Sequence, residues 1–225
     1  MKLAHPELSF CIDLASANGT VPVCVIESPV RWREIQKELL LQCGGDDGRW
    51  VLSDHDKEIN IGKNVEMLFN PLQLAENQKK LLSTFIKSLA EKAVSETYWR
   101  TGQELNSEIQ KFFGRLETEY PFDFCINPEV DFTALAKAMG IQIETQYDTD
   151  LERLLQYCLM TKELLKTKLV IFWNLRMYFS EEEMALFYAE IRRREWRVLL
   201  IEHLLGRKLP EEKWYIIDKD NCEIY

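Results

Sequence analysis

The sequence lacks most of the motifs by which an α/β enzyme declares its chemistry. It holds no G-x-x-x-x-G-K-[ST] phosphate loop and no G-x-G-x-x-G dinucleotide fingerprint. Both chemistries need the backbone amides of a glycine-rich turn around a phosphate. The nearest segment, "NIGKNV" (Asn60–Val65), has one glycine and no hydroxyl after Lys63, so it reads as a surface turn. Histidine is scarce, at His5, His55 and His203, and the six cysteines include no C-x-x-C pair. That spacing argues against a zinc site or a disulfide framework. Cys11 and Cys24, inside "FCIDL" and "VCVIE", read as small core residues. No apolar run approaches the ~18 residues needed to span a bilayer. The first ten residues lack the basic and apolar regions of a signal peptide. The expectation is a cytoplasmic protein without a membrane segment. There is also no EF-hand pattern, no nucleophile elbow, no internal repeat and no low-complexity stretch.

What is present is material for a core. The 225 residues are 46% hydrophobic and 11% aromatic, enough for one large domain or one domain with an insertion. Net charge is −9, so any contact with nucleic acid needs a localised basic patch.

The first third reads as short strands and one helix. "LSFCIDL" alternates, "PVCVIES" is a compact β-branched run, and "RWVLSD" and "VEMLFN" follow the turn "GGDDG". Between them, Ser28 caps a helix with Pro29 at its first position. From Pro71 to Glu119 the pattern turns helical: Leu74, Leu81, Leu82, Phe85, Ile86 and Leu89, then Ile109, Phe112, Phe113 and Leu116, recur at helical spacing. This predicts a helical hairpin, or leg, over 71–121, inserted into an α/β core made of 1–70 and 122–225. In the last hundred residues "FDFCI", "IQIET", "KLVIFWN" and "RVLLIEH" are predicted strands alternating with helices, and "KWYIIDKDNCEIY" a final hairpin. Apolar strands between helices predict an α/β fold with a mostly parallel sheet covered by helices on both faces.

Ligands of such sheets sit at the carboxyl ends of the strands. There "KLVIFWN" ends on Asn174, a neutral residue and a poor magnesium ligand, which reads as a cap for the strand end. Glu202-His203 closes the next strand as a candidate acid–base pair. Acids crowd the 117–131 loop as Glu117, Glu119, Asp123, Glu129 and Asp131. Lysines line the first helix of the insert at Lys79, Lys80, Lys87 and Lys92. Lys80 and Lys87, seven apart, share a face; with Glu76 and Glu91 interleaved, the same pattern suits an ordinary solvated face. The arginines of "RRRE" (Arg192–Glu195) complement a helix C-terminus.

From Ala134 to His203 the chain resembles the small spacer-acquisition protein of type II-A CRISPR systems. The quoted likeness rests on "GIQIETQYDT" (Gly140–Thr149), then "KLVIFWN", the helix after "YFSEEE", and "RVLLIE", in the same order and spacing. The resemblance implies a degenerate P-loop-ATPase-like core without a nucleotide site. It also implies a homotetrameric ring that holds double-stranded DNA by its ends without sequence preference, and no catalytic activity. Its implied partners are the CRISPR integrase proteins and the RNA-guided nuclease. By location, Lys79, Lys80, Lys87 and Lys92 are the residues expected to face DNA. The family holds structural calcium with acids near its legs, and Asp123, Glu129 and Asp131 occupy the matching region; Thr133-Ala134 stand where the family has an acid. Two other readings compete: a divergent ATPase or metal-dependent nuclease using Glu202/His203 or the 117–131 loop, and a protein-interaction scaffold for the integrase complex.

Overall fold

The computed structural model describes residues 1–14, 19–55, 57–144, 146–204 and 206–225, and the side chains of all of these but 75–78. In chain order the elements are β1 (Lys2–Ala4), β2 (Ile12–Asp13), β3 (Val21–Ile26), α1 (Pro29–Gly44), β4 (Val51–Asp54), β5 (Lys57–Ile59), the single turn α2 (Ile61–Asn64) and β6 (Val65–Leu68). Then come α3 (Ala75–Ala93), α4 (Trp99–Glu117), α5 (Phe132–Ala138), α6 (Asp150–Leu165), β7 (Leu169–Trp173), α7 (Glu181–Arg193), β8 (Val198–Glu202), β9 (Glu212–Ile217) and β10 (Glu223–Ile224). They form two compact units, Met1–Leu74 with Tyr147–Tyr225, and Ala75–Gln146.

The first unit is α/β. Its six-stranded sheet runs β10-β9-β3-β8-β7-β6, parallel throughout except for the β9–β10 edge pair. Every residue of β3, β7 and β8 is buried, as expected for strands covered on both faces. Alternation divides the faces. Leu169, Ile171 and Trp173 join a core cluster with Ile35 and Leu39 of α1 and Leu3 and Leu52 of a small four-stranded antiparallel sheet, β2-β1-β4-β5. Phe172, on the opposite face, meets Phe187 of α7 edge-on at 5.5 Å. Local chemistry matches the expected helix ends. The Ser28 hydroxyl accepts from the Arg31 amide, and Gly45 takes the left-handed C-cap of α1 at φ 102°. Ser180 and Glu183 form a reciprocal capping box on α7.

The second unit is helical. α5 packs on α3, with Leu81, Ile86 and Ala136 buried. The Asn106 side chain of α4 accepts from the Val130 amide and donates to the Pro128 carbonyl, each at 3.0 Å. Residues 122–146, read from sequence as core, group with these helices through such ties. Two predicted strands are not formed. "FDFCI" is irregular, as are the described residues of "IQIET"; Thr145 lies outside them. Alternation makes a segment eligible for a sheet, but its amides and carbonyls also need a neighbouring edge, and neither segment has one among the described residues.

Candidate nucleic-acid interface

The carboxyl ends of the parallel strands are occupied by the protein's own polar groups. After β3 the chain passes through Glu27 and Ser28 straight into Pro29 of α1, so no glycine-rich loop stands where nucleotide-binding α/β proteins wrap a phosphate. Asn174, after β7, adopts a left-handed φ of 53°, which asparagine tolerates better than most residues. Its Oδ1 accepts from the His203 amide at 3.0 Å, and its own amide donates to the Ile201 carbonyl at 2.9 Å. His203 Nδ1 in turn lies 2.9 Å from the Ile26 carbonyl. Asn174 and His203 thus tie β7, β8 and β3 together at their ends. This is the capping role expected of Asn174.

Glu202 and His203 do not form an acid–base pair. Successive residues of an extended chain face opposite sides. While His203 turns to Ile26, buried Glu202 accepts from the Arg176 amide at 3.2 Å. Burial raises its carboxyl to about 7. Nearby, Glu212 is also buried and accepts from Tyr188 Oη at 2.7 Å, Trp214 Nε1 at 2.7 Å and the Leu209 amide at 2.9 Å. Arg176 stands 3.6 Å from it. This is a satisfied buried network, and sequence reading missed Glu212 because its partners come from three separate segments.

The 117–131 acids do not converge either. Among the described residues no group of three His, Cys, Asp or Glu side chains is placed to hold a metal ion. Asp131 instead caps α5: one oxygen accepts from the Thr133 and Ala134 amides at 2.8 and 3.1 Å. Asp123 and Glu129 are not gathered with Asp131 into such a group among the described residues.

Lys79, Lys80, Lys87 and Lys92 all lie exposed on α3 and make no ion pair among the described residues. At about 100° per residue, Lys80 and Lys87 point within ~20° of one another, Lys79 stands ~80–100° away and Lys92 ~120–140° away. Lys80 and Lys87 share one face, and Lys92 looks elsewhere. Glu76, interleaved with them in sequence, has a side chain outside the described set. Helix α4 carries the unit's other unusual surface. It buries no residue, yet Leu105, Phe112, Phe113 and Leu116 are 43%, 59%, 40% and 37% exposed. A helix with such an apolar stripe normally packs it against something.

Comparison with known proteins adds to this geometry. The family model for the CRISPR-associated protein (Cas_Csn2) matches residues 42–221. The CRISPR-associated protein Csn2 of Streptococcus agalactiae is 27% identical over 163 residues, which cover 72% of this chain. CRISPR-associated protein Csn2 of Enterococcus faecalis is 26% identical over 163 residues, again 72% of this chain. The match spans 65% of the length of each of these curated relatives. No helix among the described residues is long and apolar enough to cross a membrane.

Proposed function

The chain belongs to the CRISPR-associated Csn2 family, and on that footing we propose that it binds double-stranded DNA ends without sequence preference. It does so as a homotetrameric ring, and serves spacer acquisition in type II-A CRISPR immunity alongside the integrase proteins and the RNA-guided nuclease, in the cytoplasm. The observation that carries this reading is the helical unit: exposed lysines on α3 that make no ion pair among the described residues, and an α4 whose apolar stripe stays largely uncovered. In a chain of net charge −9, duplex DNA is repelled from most of the surface, and a local set of lysines is what neutralises phosphates. The bare stripe of α4 suits burial against other copies of the chain.

The protein acts without catalysis, its parallel sheet serving as a degenerate P-loop-ATPase-like frame. Supporting this, the β3–α1 link carries no phosphate cradle and Glu202 and His203 face apart. Duplex binding measured against salt tests the interface. Charge reversal at Lys79, Lys80 and Lys87 is expected to weaken binding. Each lost phosphate contact flattens the slope of log K against log salt by about 0.9. Unchanged affinity and slope would favour a scaffold for the integrase complex. Magnesium-dependent turnover of ATP or DNA, lost in Glu202→Ala, would favour the enzyme reading.

A further inference from the structure

The amino ends of the same parallel strands, opposite the closed end, hold a different arrangement. A cleft of about 470 Å³ opens there between the lead-ins to β3 and β8 and the end of α7. Lys162, Arg192 and Arg197 line it, with Glu195 the one acid among its described walls. A narrower recess shares Lys162, Glu195 and Arg197 with it and adds Lys168. Three cations thus line the cleft and a fourth, Lys168, lies in the adjoining recess; they come from two stretches of an acidic chain, 162–168 and 192–197.

Helix-end chemistry does not account for all of them. Of the three arginines ending α7, Arg193 and Arg194 both pair with Glu190, and the Arg193 contact helps to hold that carboxyl down at about 2. Arg192 makes no such pair among the described residues and lines the cleft instead. A side chain at Gly19, left-handed at φ +68°, would come within 3.3 Å of the Arg192 stem, so glycine there leaves the arginine room. Lys162 donates to the Arg194 carbonyl at 3.4 Å; Lys168 and Arg197 have no carboxylate partner among the described residues. The opposing charges are Glu195 and the C-terminal ends of α6 and α7, each worth about half a negative charge. Across the cleft and its adjoining recess, four positive charges against about two negative leave a net of roughly +2, and the cleft's volume falls in the range of small-molecule sites. Unpaired like charges in one concavity repel each other until an anion joins them.

We propose that this cleft, with its adjoining recess, binds a free oligophosphate anion, the group carried by inorganic tripolyphosphate and by nucleoside triphosphates, with Arg192, Arg197 and Lys162 of the cleft and Lys168 of the recess as its ligands. Arginine presents its donors as a fork that suits phosphate oxygens. Half-buried Trp196, in the cleft wall with Arg194 4.9 Å over its ring, supplies an apolar side for a base.

Titration calorimetry of the full chain at low ionic strength tests this, with tripolyphosphate, ATP and adenosine as probes and magnesium omitted. Tripolyphosphate and ATP are expected to bind and adenosine not to. Arg192→Ala and Arg197→Ala should each weaken binding about tenfold or more, the worth of one charge-assisted hydrogen bond. Glu195→Gln should tighten it, because it removes the opposing charge. Thermal melts of the variants report that the fold is retained. Failure of both phosphates to bind at millimolar concentration overturns the proposal, as does binding unchanged in the double arginine variant. A third arm uses a short 5′-phosphorylated duplex. If the double variant loses duplex binding while the wild type ignores tripolyphosphate, the cleft is a DNA contact and the oligophosphate assignment falls.

Discussion

The two units of this chain spend their apolar residues in opposite ways. In the α/β unit the strands β3, β7 and β8 are buried from end to end, and large side chains such as Phe172, Trp173 and Tyr188 are at most 2% exposed. In the helical unit α4 buries nothing, and Phe112, Phe122 and Met139 are 59%, 62% and 72% exposed. A unit that encloses its own core is stable by itself, whereas one that leaves an apolar stripe uncovered gains by covering it. The contrast places the enclosed core in the first unit and an uncovered apolar stripe in the second, the unit to which assembly and DNA contact are proposed to belong.

The contrast is broken or sharpened by substitutions, of which the core truncations are expected to act most. Phe172→Ala removes a fully buried ring packed on Phe187 and should cost roughly 3–5 kcal/mol in urea unfolding. A loss below about 1 kcal/mol would show that the sheet is not the stabilising core. Next is Glu202→Gln. The Glu202 carboxyl is raised from its ordinary 4.5 to about 7 by burial. Below the lower value both folded and unfolded states are protonated and the group is neutral in effect. Between the two values the unfolded chain ionises first, so wild-type stability falls as pH rises. At pH 8 the deficit is on the order of 3 kcal/mol, and Glu202→Gln should recover it while matching wild type near pH 4. Equal stability of the two proteins at pH 8 would contradict the burial argument.

Smaller effects follow at the strand ends and on the helices. Asn174→Gly loses the bond to the His203 amide, roughly 1 kcal/mol, and Asn174→Ala should lose about 1 kcal/mol more because alanine resists the left-handed backbone. The reverse order would place the strain elsewhere. Phe112→Glu with Leu116→Glu should change protomer stability by only about 0.5 kcal/mol, and native mass is expected to show smaller assemblies. An unchanged mass would separate α4 from assembly.

Much of the α/β unit was legible because its signals are local. Apolar runs marked β3, β7 and β8, Ser28 with Pro29 marked the start of α1, and the lead-in "YFSEEE" marked α7. Two strands, β1 and β5, left no trace in the sequence: each is three residues long and gains its register from partners, Lys2 opposite Ser53 and Leu52 opposite Ile59. "FDFCI" erred in the other direction, having the right alternation without an edge to join. The site residues divide along the same line. Lys80 and Lys87, proposed to face DNA, share a face through helical period alone, so spacing is enough to show that geometry. The partners of Glu212, and the cations of the amino-end cleft and its recess (two stretches, 162–168 and 192–197), are brought together only by the fold. In "RRRE" the dipole accounts for the run as a whole, and only the fold separates Arg192 from the two arginines held by Glu190.

The central claim, that this protein recognises the ends of duplex DNA, is tested most directly by comparing its affinity for one duplex in linear form and as a covalently closed circle, at the same salt. The account predicts salt-sensitive binding to the linear form and much weaker binding to the circle. Equal affinity for the two would contradict it.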